Sequence, residues 1–232
     1  MTGAAGVGRA PARPAGRTFD VRRLGRVGYD EAVALQAALV EERRAGVIGD
    51  TLLFVEHPPV ITLGVRTRTG ASHIVAPASE LEARGILVRE TGRGGDVTYH
   101  GPGQLVGYPI FDLRPDRRDV HQYVRDLEEA LIRAVATFGV EAGRLPGLTG
   151  VWTGPPGGEE KLAAIGVRIS RWITSHGFAL NVTTDLSDFA LIVPCGIADH
   201  GVTSLERLLG RAVPMTEVED AVVGGMQEVF GD

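Results

Sequence analysis

The chain has 232 residues, 44% hydrophobic and 23% charged, enough for one large buried core and ordinary for a globular protein. Its formal net charge of −5 argues against general affinity for nucleic acid or an anionic membrane surface. No apolar run approaches the roughly 20 residues of a spanning helix, so no membrane insertion is expected.

Residues 1–17 are rich in Gly, Ala, Pro and Arg without an apolar centre, and are expected to form a disordered tail. Residues 18–232 show no break in composition and read as one domain. A strand is expected over 19–24. A helix follows over 28–45, where Ala32, Leu35, Leu39 and Val40 form an apolar stripe. Strands over 51–56 and 60–63 are divided by His57-Pro58-Pro59, because two prolines interrupt a ladder. Residues 77–84 read as a short helix stopped by Gly85, and 86–90 as a strand.

After a glycine-rich segment, strand character resumes over 105–113. Asp119 is placed to cap a long helix in which Val120, Val124, Leu127, Leu131, Ala134, Val135 and Phe138 share a face. Residues 151–153, 161–174 and 176–184 read as consecutive antiparallel strands, the first joined to the second by the loop Gly154-Pro155-Pro156-Gly157-Gly158. Helices over 204–209 and 216–230 complete the order. Strands thus come in runs broken by single helices. That pattern specifies an α+β domain with a mixed, mostly antiparallel sheet flanked by helices.

Four segments could carry chemistry. In Arg93-Gly94-Gly95-Asp96-Val97-Thr98-Tyr99-His100-Gly101-Pro102-Gly103-Gln104, repeated glycines let a ligand approach the main chain, beside a cation, an aromatic ring and an imidazole. The spacing fits neither a dinucleotide fingerprint nor a P-loop. Lys161 opens the apolar strand that holds Ala164-Ile165-Gly166. On a strand edge, such a lysine is ordinarily a guard against aggregation, but beside a thiol it would favour the thiolate. His176-Gly177-Phe178-Ala179-Leu180-Asn181 starts a strand in small and apolar residues, as a core strand or an acyl pocket would.

The fourth is Pro194-Cys195-Gly196, which holds the only cysteine of the chain. One thiol forms no internal disulfide and no multi-thiolate metal site, and a lone reduced thiol suits the cytoplasm. It is therefore a buried apolar residue or a nucleophile, and the proline and glycine around it place it at a strand-end turn. His100 and His176 are candidate bases for it, which would make a Cys–His hydrolase. The histidines at 57, 73, 121 and 200 lack the pair spacing of a zinc site, and no metal is expected.

In this order, the four segments resemble the lipoyl(octanoyl) transferase family, the octanoyl-[acyl carrier protein]:protein N-octanoyltransferases, from about residue 19 to 209. The resemblance implies the biotin/lipoate protein ligase-like fold. It implies that Cys195 takes the acyl group as a thioester and that Lys161 lowers the pKa of that thiol. Arg93, Gly94, Gly95, Asp96, Val97, Thr98, Tyr99 and His100, with Ala164, Ile165, Gly166, Gly177, Phe178 and Ala179, would contact the substrate. The implied donor is octanoyl-acyl carrier protein. The implied acceptors are lipoyl domains of 2-oxoacid dehydrogenase complexes and the glycine cleavage H protein, and no cofactor is required. The nearest rival, a lipoate or biotin ligase, would activate a free acid with ATP. Asp96 is unfavourable beside phosphates, and a ligase needs no reactive cysteine. A binding module without catalysis is disfavoured by the joint presence of Cys195 and Lys161.

Overall fold

The first strand and helix wind into a parallel pair. β1 (Phe19–Arg26) runs parallel to β2 (Asp50–Glu56), and α1 (Tyr29–Arg44) makes the crossover such a pair requires. In this computed structural model, residues 17–69, 73–114, 116–193 and 200–231 are described. Most of the expected tail lies outside them, as do Pro194, Cys195 and Gly196. Arg17 is anchored, with one guanidinium nitrogen 2.5 Å from Asp50 and the other 2.8 Å from Asp116.

β3 (Val60–Leu63), α2 (Ala78–Ala83), β4 (Leu87–Glu90) and β5 (Val97–His100) follow, then β6 (Gln104–Ile110). α3 (Val120–Ala136) separates these from β7 (Gly143–Leu145), β8 (Leu148–Thr153), β9 (Glu160–Ser170) and β10 (Ile173–Asn181). β11 (Gly201–Val202), α4 (Leu205–Leu209) and α5 (Met215–Phe230) close the chain. The large sheet has the order β1-β2-β6-β10-β9-β8-β7, with β11 beside β9. Only β1–β2 and β11–β9 are parallel in it, so the mixed, mostly antiparallel α+β fold is the one expected. A second sheet, β4-β3-β5, stands apart from it.

Three buried clusters hold these layers together. Leu127, Leu131 and Val135 of α3 and Val222, Met226 and Phe230 of α5 pack with Phe54, Leu105, Phe178 and Leu180 on one face of the large sheet. Ala32, Leu39 and Val40 of α1 cover Leu53, Val55, Val106, Tyr108 and Ala179 on the other. The small sheet builds the third around Ile61, Val97, Tyr99, Phe189 and Ile192.

Two departures from the sequence reading are instructive. The expected strands over 161–174 and 176–184 meet at the wrong place: the hairpin turns at Arg171 and Trp172, with φ of 51° and 66°. Two successive left-handed residues make the tight turn that matches strand twist, a conformation usually signalled by Asn or Gly rather than Arg-Trp. Tertiary contacts hold it. Trp172 packs on the α3–α5 core, and its carbonyl accepts from Leu113 N at 2.8 Å. Within the glycine-rich segment, where no strand is expected, residues 97–100 form β5.

The α3 cap is as expected. The Asp119 carboxylate accepts from His121 N and Gln122 N, at 2.8 and 3.0 Å. Asp119→Ala is expected to lower stability by about 1 kcal/mol in denaturant unfolding.

Candidate active site

A cavity of about 170 Å³ lies between the two sheets. β5 contributes Val97, Thr98 and His100, and β6 contributes Gln104, Val106 and Tyr108. Lys161, Ala164, Ile165 and Gly166 line it from β9, and Gly177, Phe178 and Ala179 from β10. Arg93 and Gly95 close it from the glycine-rich loop.

The floor is open because two glycines face each other. Gly166 and Gly177 are direct partners across the β9–β10 ladder. A Cβ on Gly166 would sit 2.8 Å from the carbonyl oxygen of Gly94 and 3.2 Å from Arg93 Cδ, so the loop rests on the bare strand. A Cβ on Gly177 would sit 2.2 Å from the Gly107 carbonyl oxygen. Gly177→Ala is therefore expected to cost about 3 kcal/mol, read as a lower denaturant midpoint, because a backbone atom cannot step aside.

Arg93 is buried and braces this loop. Its Nε and Nη2 donate to Thr62 Oγ1 at 3.2 and 2.8 Å, Nη2 also donates to Thr62 O at 2.7 Å, and Nη1 donates to Gly94 O at 3.0 Å. A relay continues from there. His100 Nδ1 donates to Gln104 Oε1 at 2.7 Å, and Gln104 Nε2 donates to Asn181 Oδ1 at 2.9 Å. Asn181 Nδ2 then donates to the Thr203 carbonyl at 2.9 Å, and Thr203 N donates to the Lys161 carbonyl at 3.0 Å. Both ring nitrogens of His100 are engaged, since Thr62 Oγ1 lies 3.4 Å from Nε2. Burial, helped by His57 and the Arg93 cation, lowers the His100 pKa to about 3. Such a ring is a poor base.

Lys161 is 8% exposed, and its Nζ lies 4.7 Å from the centroid of the Trp152 ring. A cation over the face of an indole is attracted by the ring quadrupole. Gly150, next to the Gly147–Thr149 stretch that also lines the cavity, is held by the fully buried Glu128 carboxylate, which accepts its N–H at 3.0 Å. Opposite, His176 meets Tyr108 edge to face, with centroids 6.2 Å apart. The Tyr108 hydroxyl donates to His57 Nε2 at 2.8 Å, while His57 Nδ1 donates to the Val27 carbonyl at 2.7 Å.

Residues 28–227 match the lipoyl protein ligase A/B catalytic domain family. An octanoyltransferase of Myxococcus xanthus is 54% identical over 92% of this chain, which spans 60% of that protein's length. An octanoyltransferase of Acidobacterium capsulatum is 59% identical over 92% of this chain and 90% of its own. The chain belongs to the octanoyltransferase family. It is accordingly an acyltransferase. Among solved structures, a bi-partite lipoate protein ligase from Thermoplasma acidophilum, described with its E2 lipoyl domain, superposes with a TM-score of 0.68. That likeness covers 91% of this chain and 84% of the other at 17% identity, and it speaks to the fold. The biotin/lipoate ligase-like architecture is thus the one the motifs implied.

Of the residues the family resemblance singled out, Lys161 shares the cavity with Arg93, Gly95, Val97, Thr98, His100, the 164–166 stretch and the 177–179 stretch. Cys195 lies outside the described residues. Three others face elsewhere. Gly94 N donates to the Val167 carbonyl at 2.8 Å. Asp96 Oδ2 lies 2.5 Å from His73 Nδ1, and its Oδ1 accepts from Val97 N. Tyr99 points into the third core against Phe189, as strand alternation from His100 requires. The sequence reading passed over Tyr29, Tyr108 and the Gly147–Thr149 stretch at the start of β8, which also line the cavity. The aromatic residues sit on elements that look like ordinary core, so only the fold brings them to the site.

Proposed function

We propose that this octanoyltransferase-family chain moves an octanoyl group from octanoyl-acyl carrier protein to a lysine of a lipoyl domain, through a thioester on Cys195. The observation that carries the reading is a buried lysine on the wall of a cavity floored by paired glycines, in a chain more than half identical to octanoyltransferases. Thiolate sulfur attacks the donor's carbonyl carbon, the carbon–sulfur bond to the carrier's thiol breaks, and that thiol leaves with a proton. The acceptor amine then attacks the Cys195 thioester, an amide forms, and the cysteine sulfur departs. Lys161 supplies and removes the protons of these steps. Backbone N–H groups of the glycine-rich loop stabilise the oxyanion.

Acceptors would be lipoyl domains of 2-oxoacid dehydrogenases and the glycine cleavage H protein, with no nucleotide or metal, since the donor thioester is already activated. One feature supports a neutral acyl ligand over an adenylate: Arg93 spends Nε, Nη1 and Nη2 on Thr62 and Gly94. A Cys–His hydrolase is less well supported, because His100 is fully engaged and His176 is shifted down to about 4, by burial first and then by Arg93 and Arg168. No described helix is long and apolar enough to cross a membrane. The cytoplasm, where acyl carriers reside, is the proposed location.

The test supplies purified chain and apo lipoyl domain with octanoyl-carrier protein, or with free octanoate and ATP. Octanoylated lipoyl domain is expected only from the first mixture. Product only from the second would make the chain a ligase.

A further inference from the structure

A second cavity of about 180 Å³ lies between α1 and the β9–β10 hairpin, lined by Val33, Ala37, Val40 and Ile173 among others. His176 lines both this cavity and the acyl cavity, and no other residue among those described does. The surroundings of the ring agree with a dividing position. Tyr108, which it meets edge to face, belongs to the acyl cavity, whereas Arg168, one of the two cations that act on it, lines the second.

The backbone there is unusual. His176 has φ of 54°, the left-handed region, within a strand. Its N–H is held by Gln36 Oε1 at 2.7 Å. In the same amide group, Gln36 Nε2 is buried with no hydrogen-bond partner among the described residues. Two local penalties, a strained imidazole residue and an unsatisfied amide nitrogen, thus converge on keeping one ring in place. Strain of this kind persists where the surroundings over-determine it, and it marks functional walls and clamps.

We propose that His176 is the end wall of the acyl site and limits the length of the chain accepted, because removing its ring would join the two cavities. This rests on the acyl-transfer reading and adds a specificity-determining residue to it. A longer alkyl chain would pass between Tyr108 and the vacated position toward Val33, Val40 and Ile173.

The test uses the full chain with octanoyl- and dodecanoyl-carrier protein as donors and apo lipoyl domain as acceptor, and reads the ratio of dodecanoyl to octanoyl transfer. Glycine suits a positive φ, so His176→Gly relieves strain while it opens the wall. Asparagine also tolerates that conformation, and His176→Asn gives a second, partial opening. The ratio is expected to rise about tenfold or more in His176→Gly and less in His176→Asn, the scale on which a pocket reads a few methylenes. Ala37→Trp, on the exposed side of the second cavity, should reverse the gain in the double variant and leave the ratio of the parent chain unmoved. An unchanged ratio in both His176 variants, with ordinary octanoyl transfer by the parent chain, overturns this inference alone. Failure of the parent chain to transfer octanoyl overturns the acyl-transfer reading and this inference with it.

Discussion

Lys161→Met is expected to lower octanoyl transfer by about 10²–10⁴-fold, the range that a positioned general acid–base contributes. Methionine preserves much of the unbranched stem that packs beside Trp152 and Gly150, so the loss reports the ammonium rather than the fold. Lys161→Arg separates two roles. Guanidinium keeps the positive charge but does not release a proton near neutral pH. If Lys161 acts by both charge and proton transfer, Lys161→Arg retains rapid alkylation of Cys195 by iodoacetamide at pH 7 yet turns over almost as slowly as Lys161→Met. Lys161→Met should lose both, because the thiol then returns toward its ordinary pKa near 8.5. Undiminished turnover in Lys161→Arg would leave this side chain an electrostatic role only.

Mild acid is expected to destabilise the fold steeply. His57, His100 and His176 are buried, and burial lowers the pKa of each from 6.5, to about 3 for His100 and about 4 for His176. For each ring the folded chain binds its proton less readily than the unfolded chain does. Stability is therefore complete above the unfolded value of 6.5 and falls with pH below it, until the folded rings themselves titrate. Each ring that stays unprotonated in the folded chain contributes a limiting slope of about 1.4 kcal/mol per pH unit, roughly 3 for His100 and His176 together, and His57 adds to it in the same direction. Urea unfolding at pH 7.5, 6, 5.5 and 5 reads this slope directly. Replacing His57 by glutamine should flatten it. A flat profile between pH 7 and 5 would mean that the rings are not held neutral.

The layers were legible because their signals are local. Alternating or continuous apolar runs marked the strands, Asp119 marked the start of α3, and the proline pair at 58 and 59 separated β2 from β3. The paired glycines were visible only as two motifs; that Gly166 faces Gly177 depends on register, which no single segment contains. The Arg171-Trp172 turn escaped because its residues do not favour the conformation that Trp172 burial and the Leu113 hydrogen bond impose. Tyr29 and Tyr108 gave no hint of the cavity, since each is an ordinary residue on a core element until β5 closes over them. Asp96 was the reverse case. The family resemblance implied ligand contact, while its carboxylate is committed to His73 and to the Val97 N–H.

Transfer by way of Cys195 is tested most directly by intact-mass spectrometry of the chain mixed with octanoyl-carrier protein, without nucleotide or acceptor. The wild-type chain should gain one octanoyl group that hydroxylamine removes and that apo lipoyl domain discharges, and Cys195→Ala should gain none. An adduct that persists on Cys195→Ala, or full lipoyl-domain octanoylation by that variant, would contradict a route through this sulfur.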